Sequence, residues 1–460
     1  MPLYNSLFSS LLLLNIFTAL TFATEILNQH LRKTCTVKPG GDTSIDDAPA
    51  ILQAFKDCGQ GGTINFLPEI YHVKTVMTTT GLHDCEINLP GTLLWSTNIP
   101  YWLNHSLPVG YQNQYTAWKF GGDRIRFNGF GTGVLDGNGA EWYAWIRKQP
   151  NTSNYPGRPH AITFDGLTNS VVRGVSLLRS QMWSMSIIRS HHVLFDSITT
   201  NSTVPGGTSC KSDTSLLATF ILVFSFKSRS SANFPQANTD GADTFFSHHI
   251  AFNNWTVENG DDSISLKANS TDISITNSRF FNGLGIAIGS IGQYRGRFET
   301  VERLRVSNCT FENTLHDVYF KTWTGESVGY PPNGGGGGLG FAKDLTFTNL
   351  HTTNIRGIPI TISQCTRFMG SGGTGNCTSS PFKISDISFQ NITGTTKNTA
   401  VASFQCSAVA PCERIEITGV DLVLANGTEP WRYLCGNVKE EIGWKCNGQA
   451  CVGGSATGGC

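Results

Sequence analysis

From about residue 125 to 425 the chain repeats one short pattern: apolar, any, apolar, any, then often Asn or Gly, then apolar. It reads Ile125-Arg-Phe-Asn-Gly-Phe, Val193-Leu-Phe-Asp-Ser-Ile, Ile250-Ala-Phe-Asn-Asn-Trp and Ile273-Ser-Ile-Thr-Asn-Ser. It continues as Leu304-Arg-Val-Ser-Asn-Cys, Leu345-Thr-Phe-Thr-Asn-Leu, Ile387-Ser-Phe-Gln-Asn-Ile and Ile415-Glu-Ile-Thr-Gly-Val. Alternation with period two predicts strands with one buried face. The cleanest copies begin 23 residues apart, at 250 and 273, with no helical pattern between them. Such strands stack rung upon rung. An immunoglobulin-like sandwich also has short strands at regular spacing. It would not place Asn or Gly after the same strand in seven of eight copies. The pattern therefore predicts an all-β fold, a right-handed parallel β-helix of about ten rungs, with the recurring Asn placed to form a ladder along the stack. One helix is predicted, Ile45–Cys58, with apolar residues at helical spacing behind Asp46 and Asp47. It would cap the first rung and cover its sheet edge.

Composition narrows the setting. A formal net charge of +0 removes the driving force for nucleic acid or an anionic membrane surface. An apolar run from Leu7 to Phe22, then a small-residue site before Thr24, predicts a signal peptide over 1–23 and a single domain over 24–460. The core of that run is short for a membrane span. Thirteen cysteines, among them the close pairs Cys35/Cys58, Cys365/Cys377 and Cys406/Cys412, predict disulfides in an oxidising compartment, with one thiol left over. Sequons begin at Asn104, Asn151, Asn201, Asn254, Asn269, Asn308, Asn376, Asn391 and Asn426. Together these features describe a secreted, glycosylated monomer.

The candidate chemistry lies in "NTDGAD" (238–243) and "NGDDSISLK" (259–267). Asp240 and Asp261 are 21 residues apart, close to one rung, so they should occupy successive turns about 4.8 Å apart. Beside Gly260, Asp261 and Asp262 should lie at a bend that turns both toward one groove. Three carboxylates so close cannot all ionise freely. A raised acid beside an ionised base is what protonation of a glycosidic oxygen requires. Lys267 and Lys321 place cations nearby, which suits an anionic sugar. A Ca²⁺ site built from the same carboxylates and plain turn-capping aspartates remain open on residue types alone.

Four segments in order carry a resemblance: Asn238-Thr239-Asp240, Gly260-Asp261-Asp262, "GLGIAIGSIGQY" (283–294) and Tyr319-Phe320-Lys321. From Gly40 onward the chain resembles family 28 of the glycoside hydrolases, the polygalacturonases and relatives that cut pectin. The resemblance implies a pectin lyase-like parallel β-helix and inverting hydrolysis without metal or other cofactor. It implies Asp261 as general acid, Asp240 with Asp262 activating water, Asn238 orienting the site and Lys321 holding a galacturonate carboxylate. Lys267 and Tyr319 are further candidate substrate contacts. Two positions depart from the family pattern: Leu284 stands where His is usual, and Tyr319 where Arg is usual. An Arg lost to Tyr forfeits a bidentate carboxylate clamp. The Gly-rich segment 329–340 and Gln293-Tyr294 resemble exo-acting fungal members. The insertion between Asn201 and Phe234 could close one end of the groove, with Trp323 and Tyr330 available for sugar stacking. The expectation is an exo-polygalacturonase that acts on a pectic polysaccharide. A xylogalacturonan or rhamnogalacturonan hydrolase, and a non-catalytic polysaccharide-binding β-helix, are the alternatives.

Overall fold

The computed structural model describes residues 32–203, 238–329, 331–368 and 376–458. The expected signal segment, the insertion from 204 to 234 and the Tyr330 side chain lie outside the described residues. The chain is a parallel β-helix. Its 29-stranded sheet divides into columns in which each strand pairs in parallel with the one a rung above. One column starts at Thr34–Val37 and Thr63–Phe66 and ends with Cys412–Val423 against Val438–Ile442. It extends past both ends of the sequence repeat, because these terminal rungs keep the alternation but lack the marker Asn. Among the described residues no helix is long and apolar enough to cross a membrane.

Register puts like on like. Ile250 pairs with Ile273, Ile273 with Leu304, Leu304 with Leu345, Leu345 with Ile387 and Ile387 with Ile415. All six are buried. Each such side chain contributes roughly 1.5–3 kcal/mol relative to exposure. A slip of one residue would turn the whole file to solvent. The marker asparagines sit at the bend that follows. Asn308, Asn349 and Asn391 have φ of 56°, 55° and 58°, a left-handed conformation that Asn tolerates better than other side chains with a Cβ. Their amides form the expected ladder: Asn349 donates to Asn308 (3.1 Å), and Asn391 donates to Asn349 (2.8 Å).

The capping helix spans Ala48–Cys58 and buries Ala48, Ile51, Ala54, Phe55 and Cys58. It begins three residues later than Ile45 because Asp46 and Asp47 bind backbone outside it. Asp46 accepts from the Lys74 amide (2.8 Å), and Asp47 from those of Gly40 and His72 (both 2.7 Å). Disulfides join Cys35–Cys58, Cys365–Cys377, Cys406–Cys412 and Cys435–Cys446. Among the described residues two buried thiols, Cys85 and Cys309, are free, where cysteine parity suggested one. Both point into the core, and burial pushes each up to about 12, so they are inert as nucleophiles.

The ladder yields a prediction. Asn349→Ala should lower stability by roughly 2 kcal/mol, from two weakened hydrogen bonds and a Cβ held at positive φ. Asn349→Gly should lose less, because Gly keeps the turn. Urea midpoints read both changes, and a wild-type midpoint for the alanine variant would remove the ladder from the stabilising interactions.

Candidate active site

A second column positions the candidate residues, some on its strands and some in the turns at the strand ends. It stacks Met185–Ile188, Ala242–Phe245, Asp262–Leu266, Gly285–Ile291, Val318–Thr322 and Ile360–Ser363. The register runs Asp243 to Ser265, Ser265 to Ala287 and Ala287 to Tyr319. Residues scattered from 243 to 319 thus share one face. A register shift between Asp262 and Ile264 turns the strand, so Asp261 and Asp262 both line the same cavity. An extra residue in a strand re-aims side chains in this way.

Close backbone approach holds that bend. The Asn259 amide donates to the carbonyls of Thr239 (2.9 Å), Asp261 (3.0 Å) and Asp262 (2.7 Å). A Cβ on Gly283 would come 2.2 Å from Asn259 Oδ1, which explains the glycine there. Asn238 sits at φ 56° and donates its backbone N–H to Asp261 Oδ2 (2.9 Å). Its side-chain oxygen accepts from the Asn154 amide (3.0 Å).

Carboxylate oxygens of Asp240, Asp261 and Asp262 lie within 4.8 Å of one another. Their environments separate them electrostatically. Burial, then the charges of Asp243, Asp261 and Asp262, push Asp240 well above the ordinary carboxylate range. Burial and Asp262 raise Asp261 to about 6, against Lys321 and two backbone N–H donors. Burial also raises Asp262, but Lys321, Lys267 and the Tyr319 hydroxyl outweigh it and hold Asp262 below its usual value. The cluster therefore combines one ionised carboxylate with neighbours that keep a proton, the pairing that acid–base work needs. An ammonium already occupies Asp262 and competes with a Ca²⁺ ion for that carboxylate.

Both candidate lysines are engaged. Lys321 Nζ lies 2.9 and 3.0 Å from the two Asp262 oxygens. Lys267 Nζ lies 3.1 Å from Asp243, donates to the Gly289 carbonyl (3.3 Å) and faces the Trp183 ring. Tyr319 is fully buried, donates to Asp262 and is not among the residues lining the cavity. It braces the carboxylate instead of reaching the groove. Asn238, Lys267 and Lys321 do line it. Trp323 is buried and packs against Phe368, outside the lining.

The cavity, about 140 Å³, also draws on residues the repeat does not mark: Gln112, Asn154, Trp183, Pro332, Phe368 and Thr457. They come from loops that interlock. Gln112 donates to Gln293 (2.5 Å), Gln293 to the Pro332 carbonyl (2.8 Å), and Asn154 to Asn333 (3.1 Å). The C-terminal tail closes another side, tied by the His316 ring to the Thr457 carbonyl (3.0 Å). Gly458 packs on Tyr319, where a Cβ would stand 2.6 Å from the ring. Only the Gly run at 334–338 hinted at these walls.

A family model described as "Glycosyl hydrolases family 28" matches residues 70–451. The alpha-L-rhamnosidase rgxB of Aspergillus niger is 54% identical over 455 residues, covering 99% of this chain and 98% of that protein. A protein of Aspergillus flavus bearing the provisional name galacturan 1,4-alpha-galacturonidase A is 35% identical over 460 residues, covering 95% and 99%. The crystal structure of endo-xylogalacturonan hydrolase from Aspergillus tubingensis superposes with a TM-score of 0.71 at 24% identity. The match covers 91% of this chain and all of that one.

The charge arrangement makes Lys321→Met informative. Without the ammonium the Asp262 carboxyl should rise, so the acid limb of kcat/KM should move to higher pH and kcat should fall at least tenfold. A raised KM with an unmoved acid limb would mean that Lys321 binds substrate rather than setting the charge of Asp262.

Proposed function

The chain belongs to family 28 of the glycosyl hydrolases, and from that premise we propose an exo-acting hydrolase that removes α-linked rhamnose from the ends of rhamnose-bearing pectic chains. One observation carries the choice of sugar. Lys267 and Lys321 are the cations among the described lining residues, and each is already paired with a buried aspartate. Tyr319 occupies the place of the expected Arg and is turned inward. Around the carboxylates stand Leu284, Trp183, Phe368, Pro332 and Ala456. A galacturonate carboxylate would enter there without an unpaired cation, which is costly. A neutral 6-deoxy sugar presents a methyl group, which that wall accommodates. The 54% identical relative named as a rhamnosidase supports the same reading. The interlocked loops and the C-terminal tail around the cavity support action at chain ends.

In the proposed reaction Asp261, raised to about 6, protonates the glycosidic oxygen. Asp262, held ionised by Lys321, accepts a proton from water that Asp240 helps to orient. The water then attacks the anomeric carbon from the opposite face. The separations within the cluster are shorter than the roughly 6.5–9.5 Å usual between the carboxyl groups of inverting enzymes. Inversion is favoured here by charge: both Asp262 oxygens already hold the Lys321 ammonium, and one also holds the Tyr319 hydroxyl. That makes Asp262 a poor nucleophile. The N-terminal apolar segment, the disulfides among the described residues and nine sequons whose asparagines are all at least partly exposed support an extracellular setting in this reading.

Release of galacturonic acid from homogalacturonan ends is the second reading. It is favoured by the 35% identical relative and by the two lysines at the cavity, provided that Lys321 exchanges Asp262 for substrate. Product profiling separates the two. Free rhamnose from rhamnose-terminated rhamnogalacturonan oligosaccharides, with no monomer from polygalacturonate, is expected. Galacturonic acid from polygalacturonate would replace the rhamnosidase reading with the second. Asp261→Asn should reduce kcat by at least a thousandfold while leaving oligosaccharide binding intact, and turnover near wild type would remove Asp261 from the acid role. Early-time proton NMR should show β-rhamnose first from an α-linked substrate, whereas the α-anomer first would mean retention.

A further inference from the structure

Away from the carboxylates, two Ser-His-His triplets, 190–192 and 247–249, lie one rung above the other. His191 pairs in register with His248. The His191 and His248 rings stack at 5.0 Å with 6° between planes, and those of His192 and His249 at 4.6 Å with 10°. Within each triplet the Nδ1 atoms meet, at 3.0 Å for His191 and His192 and 2.9 Å for His248 and His249. Ring nitrogens of His192, His248 and His249 lie within 4.8 Å of one another. His192 and His249 hold left-handed turns at φ 55° and 54°, the conformation given to Asn at the marker bends of later rungs. Four of the chain's eleven histidines converge here.

We propose that His191, His192, His248 and His249 form a binding site for a divalent transition-metal ion of the Zn²⁺, Cu²⁺ and Ni²⁺ class, clasping two adjacent rungs. Imidazole is the ligand these ions prefer, and near neutral pH an ordinary imidazole is mostly in its neutral, ligating form. Tetrahedral Zn²⁺ with nitrogens at about 2.0–2.1 Å needs them roughly 3.4 Å apart, between the 2.9–3.0 Å Nδ1 contacts and the 4.8 Å spread. Small ring rotations on a half-exposed surface close the difference. The Asp272 carboxylate on the next rung does not compete, because Arg303 holds it at 2.7 and 2.9 Å. The ion would join strands 57 residues apart in sequence. It would bind the folded chain selectively and so stabilise it.

Titration of the full-length protein with Zn²⁺ alone tests the site. One equivalent should bind with a micromolar dissociation constant, raise Tm with metal concentration and be removed by EDTA. The double variant His192→Asn/His249→Asn keeps residues suited to positive φ, so it should fold and turn over substrate normally while binding Zn²⁺ at least tenfold more weakly. Asp261→Asn should bind the metal like wild type. No saturable binding by the wild-type protein would overturn the proposal. So would binding unchanged in the histidine variant, or lost in Asp261→Asn instead.

Discussion

Parallel pairing at about 4.8 Å per rung is the constraint on which the rest of this molecule depends. It fixes how close residues a rung apart in sequence must come, and it does so for every column at once. Ile250 meets Ile273 and Asn349 meets Asn308 for the same reason that Asp240 meets Asp262. An apolar contact, an amide ladder and a carboxylate cluster are three uses of one spacing. The first two are favourable at that distance and set the register. The third is unfavourable at that distance and is held there by them.

Holding carboxylates together costs stability that must be offset nearby. Lys321 and Lys267 supply the offset, each against one aspartate, in a region with almost no solvent. An isolated ion buried there would be far worse than the pair. In the proposed reading the consequence reaches substrate choice: an ammonium paired with Asp262 or Asp243 is not available to a uronate. The charge balance that keeps Asp262 ionised also pairs both lysines that line the cavity with aspartates. In the proposed reading, the charge that keeps Asp262 ionised and the choice of a neutral sugar share one cause.

Much of this was legible because period-two alternation and a repeated Asn report on both the strand and its bend. Asp240, Asp261 and Asp262 could be placed together from rung length alone, since parallel stacking converts sequence separation into distance. Lys321 was correctly drawn to the same cluster, but its partner was not readable. Whether a lysine faces an internal carboxylate or a ligand depends on side-chain direction and burial, which spacing does not encode. Tyr319 shows the same limit. As a residue type it is a plausible sugar contact, yet the tail at Gly458 covers it and turns it into a brace. The helix start moved from Ile45 to Ala48 because Asp46 and Asp47 found backbone donors at Gly40, His72 and Lys74, two of them a rung away.

The sequence by itself determined the column architecture, the file of buried aliphatic side chains, the Asn ladder and the meeting of the three carboxylates. Each of these follows from local periodicity multiplied by a fixed rung spacing. Only the tertiary structure decided which charges neutralise one another and which loops wall the cavity. Those outcomes depend on contacts between segments with no common period, such as Gln112 with Gln293 and His316 with Thr457. No local pattern carries that information, because the energy of such a contact exists only once both segments are in place.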